Sequence, residues 1–195
     1  ILPTPIVAMA GLVDDVAAVG RTGWARVGDR IVLLGPDSAT LGASLHAHLV
    51  TGRECGRPAA PVFAASVAAT ALVREAVRTG VVRSAHDCSE GGLAVALAEA
   101  CIAGGVGATV VLPVPADGDA RRAWFGEGPG RFVVSCAPER VQGLAAAAAA
   151  AGVPCAVLGT VGGDALRLRW TADGATRTVS LALEALTAAW TSLEV

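Results

Sequence analysis

The sequence predicts an α/β (α+β) fold, in which helices pack on a mixed β-sheet. Two observations carry this prediction. Short apolar runs rich in β-branched residues alternate with longer helical patterns, and some neighbouring runs are separated only by tight turns such as Gly162-Gly163-Asp164. Interleaved helices favour parallel strands and tight turns favour antiparallel ones, so a mixed sheet satisfies both better than a doubly wound sheet. A chain of 195 residues, 53% of them hydrophobic, can bury a sizeable core.

The first half of the chain contains six predicted elements. We expect strands at 6–16, 26–36 and 81–85, helices at 61–80 and 90–105, and a segment at 38–52 that becomes helical near its end. Residues 1–5 are expected to be extended, because each proline disfavours a helical conformation in the residue before it. Ser38 is a possible N-cap for the first helix and Ser89 for the third, whereas Pro61 and Gly80 bound the second.

The second half contains seven predicted elements. We expect strands at 106–115, 131–138, 153–162, 165–170 and 176–180 and helices at 139–152 and 180–190. Residues 116–130 form a loop with one helical turn, and Ser180 is expected to cap the last helix. We expect residues 1–195 to form one domain, with 1–15 as an extended leading segment.

Composition excludes several classes of function. There is no Lys, Asn or Tyr, so neither a Schiff-base lysine nor a Walker lysine is present. No apolar run reaches the roughly 18 residues of a membrane span, and no signal peptide is recognisable. A net charge of −2 without a basic cluster argues against nucleic acid as a partner.

The cysteines indicate a reducing compartment. The chain has five, an odd number, and no C-x-x-C pair. We therefore expect free thiols in a cytoplasmic protein. Because the chain opens with Ile1 and its only methionine is Met9, we also expect it to be a piece of a longer protein.

The turn HDCSEGG is the first candidate site. Gly91 and Gly92 can leave the first amides of the following helix open to a phosphate, with His86 and Ser89 beside it. Asp87 can hold Mg²⁺, a hard cation that takes carboxylate and phosphate oxygens together. The alternative is a capped helix after a strand that ends in a satisfied histidine.

The loop FGEGPGR at 125–131 is the second candidate site. Glu127, Gly128 and Arg131 can form an anion-binding loop, because the planar Arg fork suits phosphate. The alternative is an ordinary turn before a strand. We expect Arg131 to pack its guanidinium against the Glu127 side of this loop and to order it, with the two side chains forming an exposed ion pair.

Two further groups are weaker candidates. His46 and His48 face opposite sides of a helix, which disfavours a metal site. Asp14 and Asp15 can bind Mg²⁺ but equally suit a solvated turn.

The ordered set of motifs is more specific than any single one. PTPIVAMAGLVDDV, GDRIVLLG, LGAS, VVRSAHDCSEGGLAVALAEA, FGEGPGRFVVS, GVPCAVLGTVGGD and SLALEALTAAW follow one another across almost the whole chain. Together they resemble the C-terminal portion of the synthetase subunit of phosphoribosylformylglycinamidine synthase. The chain looks like the second of its two C-terminal domains, which share their fold with aminoimidazole ribonucleotide synthetase.

The resemblance implies a reaction. ATP and Mg²⁺ phosphorylate the formamide oxygen of formylglycinamide ribonucleotide, and ammonia from a glutaminase partner then displaces the phosphate. The implied partners are the missing N-terminal portion, the glutaminase and small accessory subunits. The family's catalytic residues lie upstream, so none is expected in this chain.

The resemblance also suggests site residues. An aspartate in the family's first half binds magnesium and an acidic loop binds substrate; Asp87 and 127–129 hold those positions here. The family usually has glycine where Ala43 stands and an E-S-Q-like triplet at 127–129. Two other hypotheses stay open: a domain of a sister enzyme, such as selenophosphate synthetase, and a non-catalytic domain that docks a glutaminase.

Overall fold

A computed structural model of the chain describes residues 7–13, 15–114, 119–172 and 174–192. Within these ranges the strands are β1 (Arg30–Leu34), β2 (Ser84–Asp87), β3 (Ala108–Val111), β4 (Phe132–Cys136), β5 (Cys155–Val161), β6 (Ala165–Ala172) and β7 (Ala175–Ala182). The α-helices are α1 (Leu45–Thr51), α2 (Phe63–Arg78), α3 (Gly92–Gly104), α4 (Ala120–Phe125), α5 (Val141–Ala150) and α6 (Leu183–Ser192).

The strands form one mixed sheet in the order β2-β4-β1-β5-β3-β6-β7. Strands β3 and β6 pair in parallel, and the other neighbours are antiparallel. The predicted mixed sheet with packed helices is therefore confirmed.

Apolar side chains cover both faces of this sheet. Successive residues of a strand point to opposite faces, and Ile31 joins a core with α3 whereas Val32 joins a core with α2 and α5. Val133 and Val134 of the neighbouring strand divide in the same way. The sheet is thus the middle layer between two sets of helices.

Helix α3 carries apolar residues around its whole circumference, as expected for a helix that other elements enclose. It packs on the sheet and contacts α4 and α6, and seven of its residues are buried. A helix that is hydrophobic all round is a buried helix. Its single charged residue, Glu99, is therefore conspicuous.

The strand predicted at 6–16 is wrong for the residues the structure describes there. Residues 7–13 form no strand, and Met9 and Leu12 are 94% and 99% exposed. A strand needs a neighbour to pair with, and among the described residues before β1 the sheet pairs only with Arg21, through an isolated bridge to Ser84. Residues 1–6 and Asp14 lie outside the described residues.

The predicted caps at Ser38 and Ser180 are wrong. Segment 38–52 is helical near its end, as expected, but its N-cap is Ser44, whose hydroxyl accepts the N–H of Ala47 at 3.1 Å. Ser180 lies within β7 instead of capping α6, because the β6–β7 hairpin runs on to Ala182.

The strand predicted at 81–85 is displaced along the chain to Ser84–Asp87. Its position follows from pairing with β4, in which Ser84 lies opposite Ser135 and Asp87 opposite Phe132. Asp87 consequently ends the strand. No described helix is both long and apolar enough to cross a membrane.

An ion pair between the buried Asp29 and the partly exposed Arg83 links the start of β1 to the segment before β2. Asp29 is 1% exposed, and its Oδ1 accepts from Nη1 of Arg83. The second oxygen, Oδ2, has no hydrogen-bond partner among the described residues. Arg83 is therefore the counter-charge of this buried side chain.

We predict that Arg83→Ala lowers the free energy of unfolding by about 3–5 kcal/mol, because it leaves a buried carboxylate without a counter-charge. Chemical denaturation at pH 7 measures the loss. The matched control is Arg167→Ala, whose partner Asp164 has a side chain 93% exposed, and it should change stability far less. Equal effects of the two substitutions would contradict a structural role for the buried pair.

Candidate functional site

A cleft of about 610 Å³ lies at the carboxyl end of β2. Four segments line it: 42–43, 58–59, 87–90 and 127–132. The structure thus brings together five predicted site residues, namely Asp87, Ser89, Glu127, Gly128 and Arg131.

Antiparallel pairing creates this juxtaposition. Because Asp87 lies opposite Phe132, the turn that leaves β2 meets the loop that enters β4. The N–H of Cys88 donates to the carbonyl of Arg131 at 2.9 Å and extends the ladder by one step. The two candidate motifs are therefore neighbours through the sheet.

Asp87 presents an ionised carboxylate to the cleft. Its side chain is 57% exposed, and its Oδ2 accepts the Ser89 hydroxyl. That hydrogen bond is the main reason why the pKa of Asp87 lies below its ordinary value. The predicted cap at Ser89 is therefore wrong: its hydroxyl serves Asp87, and the helix N-cap is Gly91.

His86 does not line the cleft. It points toward α3, where its Nε2 lies 2.7 Å from Oε2 of Glu99. Its other nitrogen, Nδ1, is 3.4 Å from Oδ1 of Asp87 without hydrogen-bond geometry. His86 thus lies between Asp87 and Glu99. Glu99 is a partner of His86 that sequence reasoning missed. The available signal was its position as the sole charge in an apolar helix.

The amides of Gly91 and Gly92, at the start of α3, are not open to a ligand, contrary to the prediction. Gly91 donates its N–H to Oε1 of Glu127 at 2.8 Å, and Gly92 donates to the carbonyl of Ser89 at 3.1 Å. The same Oε1 accepts the N–H of Leu45 at 2.8 Å. One carboxylate therefore occupies the position that a phosphate would need at this helix start.

Gly92 serves packing rather than ligand access. Its φ is +68°, and a Cβ there would lie 2.6 Å from the carbonyl oxygen of Gly126. Only glycine permits this approach between α3 and the end of α4.

Arg131 is buried, contrary to the expected surface position. It is 4% exposed, and its guanidinium donates to the carbonyls of Gly126 at 3.3 Å and Ala123 at 3.4 Å. No ion pair joins it to Glu127 in the described part of the chain. The carbonyls at the end of α4 carry partial negative charge and attract the cation. Arg131 orders the loop through its backbone.

The cleft wall at Ala43 carries backbone strain. Ala43 has a φ of +54°, a conformation in which an L side chain costs roughly 1–2 kcal/mol. Its N–H donates to the carbonyl of Cys55 at 2.6 Å, which holds this turn in place. Sequence reasoning noted the absence of glycine here but missed that Pro58 and Ala59 also line the cleft, since these residues carry no chemical signal.

The histidine pair His46 and His48 forms no metal site among the described residues. His46 stacks on Phe125 with ring centroids 5.3 Å apart, and His48 lies 3.4 Å from Glu54. No group of three or more His, Cys, Asp or Glu residues suited to a metal ion occurs among the described residues. The Asp87 carboxylate and the Ser89 hydroxyl offer hard oxygen atoms of the kind that Mg²⁺ prefers. A phosphate ligand that enters together with Mg²⁺ would fill several of the remaining coordination positions.

Comparison with known proteins places the chain in a family. Residues 26–171 match the family described as AIR synthase related protein, C-terminal domain. The chain belongs to this family. The resemblance inferred from the ordered motifs is thereby confirmed.

Relatives of this AIR synthase related domain include much longer proteins. The chain is 46% identical over 169 residues to the phosphoribosylformylglycinamidine synthase subunit PurL of Methylocella silvestris, covering 86% of this chain and 22% of that protein. It is 47% identical over 141 residues to the subunit PurL of a Synechococcus species, covering 71% and 18%. The chain therefore spans about a fifth of the length of these curated relatives.

Solved structures share the fold of this domain. Thermotoga maritima PurL complexed with FGAR matches with a TM-score of 0.71 at 19% identity, over 88% of this chain and 30% of that one. Hydrogenase maturation protein HypE in complex with ATP matches with a TM-score of 0.57 at 17% identity, over 85% and 54%.

We predict that Glu127→Ala lowers the free energy of unfolding by about 2 kcal/mol, since it leaves two helix-start amides without their charged acceptor. Glu127→Gln keeps an acceptor oxygen and should lose less. Hydrogen exchange of the Leu45 and Gly91 amides, together with denaturant midpoints, measures both effects. Glu90→Ala, at an exposed position beside the cleft, is the control. Unchanged exchange in Glu127→Ala would refute the bridging role.

We also predict that Cys88, although it borders the cleft, is not a reactive thiol. Burial raises the pKa of both Cys88 and Cys101 to about 11, so about one thiol in a thousand is ionised at pH 8. Iodoacetamide should label both far more slowly than Cys55, and the rate should rise as pH approaches 11. Mass spectrometry of the folded protein follows each site. Labelling of Cys88 as fast as Cys55 at pH 8 would contradict this.

Proposed function

We propose that this chain is the second C-terminal domain of the synthetase subunit of a phosphoribosylformylglycinamidine synthase. That enzyme converts formylglycinamide ribonucleotide to the amidine with ATP and with glutamine as the nitrogen donor. The identities of 46% and 47% to two PurL subunits support the assignment. The implied setting is a cytoplasmic complex with the rest of the subunit, a glutaminase and small accessory subunits.

The domain's part in this reaction is to form a nucleotide-phosphate cleft. The observation that carries the proposal is the ionised Asp87 carboxylate, which the Ser89 hydroxyl holds at the edge of a 610 Å³ cleft. Solved PurL structures with ATP and with ADP share the fold of this chain.

The chain's own residues bind and orient the ligand. Asp87 and Ser89 would hold Mg²⁺, which when bound neutralises charge on the phosphate oxygens. Gly128 lets the loop pack closely on the backbone of Ala39, and Glu127 keeps that loop fixed. Among the described residues, the cleft's only cationic side chain is Arg131, which is already engaged with carbonyls. The phosphate is therefore held through the bound Mg²⁺ and not by Arg131.

This assignment gives the domain a supporting role. The cleft contains no His and no Lys along the segments that line it, and we propose that the catalytic residues lie in the remainder of the subunit. We accordingly propose that the 195-residue chain by itself lacks synthetase activity.

A docking role is compatible with this assignment. The apolar side chains of Met9 and Leu12 are 94% and 99% exposed, which is unusual for a leading segment that no partner covers. Contact with the remainder of a longer subunit would bury them.

We predict that Asp87→Ala in the full-length protein weakens binding of ADP-Mg²⁺ at this cleft by at least about tenfold, because it removes the carboxylate that the Ser89 hydroxyl holds at the cleft edge. Calorimetric titration measures the affinity, with unfolding midpoints recorded in parallel. Asp37→Ala removes an exposed carboxylate outside the cleft and should leave the affinity unchanged.

A loss of stability without a change in affinity would instead assign Asp87 to the turn alone. Such a result would refute the proposed nucleotide cleft.

A further inference from the structure

A second cleft, of about 390 Å³, lies between α3, α4, α6 and the β6–β7 hairpin. We call it the indole cleft, because Trp124, Trp170 and Trp190 line it. It shares no lining residue with the cleft at Asp87, and neither the family assignment nor the proposed nucleotide site accounts for it.

The indoles form an aromatic wall. The rings of Trp124 and Trp170 meet edge to face, with centroids 4.8 Å apart, and the Trp124 Nε1–H donates to the carbonyl of Pro113 at 3.0 Å. Trp190 is 43% exposed at the rim. Two fixed rings and one rim ring give a preformed apolar site of the size that takes small ligands.

Glu99 is the single charged residue among the described residues that line this cleft. Its Oε2 contacts His86, whereas Oε1 has no hydrogen-bond partner in the described part of the chain. A carboxylate in an apolar wall attracts a cation strongly, since the local dielectric is low. It disfavours an anion for the same reason.

Aromatic rings and a carboxylate together select one chemical class. Indole faces attract ammonium groups as well as apolar rings, and the free carboxylate oxygen can pair with an N–H donor. We propose that the indole cleft binds a small aromatic amine, whose ring packs on the tryptophans and whose ammonium group pairs with Glu99. This inference does not rest on the proposed nucleotide function.

Three probes of nearly equal size test the charge selection. The full-length protein is titrated calorimetrically with 2-phenylethylamine, 2-phenylethanol and phenylacetate. The amine should bind about tenfold more tightly than the alcohol, and phenylacetate should bind most weakly. Equal affinity for amine and alcohol would overturn the proposal, as would no saturable binding of the amine at millimolar concentrations.

Variants locate the binding. Glu99→Gln keeps the size of the side chain and should remove the tenfold preference for the amine while leaving 2-phenylethanol binding unchanged. Glu184→Gln, on the lining helix α6 but outside the cleft, is the matched control and should retain the preference. Retention of the preference in Glu99→Gln would overturn the assignment.

A third variant fills the space. Ala189 lines the cleft on α6, and Ala189→Trp should reduce binding of both amine and alcohol without removing a core side chain. Unchanged binding in this variant would place the amine elsewhere and overturn the proposal. If Glu99→Gln fails to fold, the Ala189→Trp variant and the comparison of the three probes on the unaltered protein still test whether the indole cleft binds an aromatic amine.

Discussion

The carboxylate of Glu127 holds together the parts from which the first cleft is built. Its Oε1 accepts the N–H groups of Leu45 and Gly91, so it stabilises the starts of two helices at once. Its backbone pairs with that of Thr40 through two hydrogen bonds, at 3.0 and 2.9 Å. Loop 125–131, the turn before α1 and the start of α3 are therefore one unit. Because the Glu127 carboxylate already accepts these amides, they cannot bind a phosphate. In the proposed site the phosphate would bind through Mg²⁺ held by Asp87 and Ser89.

Sheet pairing supplies the second constraint. Strand β2 is an edge strand of only four residues, and its position is set by its antiparallel partner β4. Placing Asp87 opposite Phe132 brings two motifs nearly 40 residues apart into one cleft. The same pairing directs His86 toward α3, where Glu99 receives it.

The polar side chains of this region form a continuous series. Glu99, His86, Asp87 and Ser89 contact one another in turn, from the indole cleft at one end to the first cleft at the other. A buried apolar helix carrying one carboxylate is costly unless that group is paired. The pairing with His86 explains how α3 tolerates Glu99. Since His86 also contacts Asp87, packing of α3 on the sheet affects the orientation of Asp87.

The sequence by itself determined the fold class, most helices and strands, and the family, because periodicity, glycine stops and ordered motifs are local signals. It also identified Asp87 and the loop at 125–131 as candidates. Tertiary structure alone decided what each residue contacts. Ser89 bonds Asp87 instead of capping α3, since Glu127 already serves the helix start. Arg131 turns inward because the carbonyls at the end of α4 lie within reach. The segment 7–13 reads as a strand yet forms none, because a strand requires a neighbour that only the assembled sheet can offer.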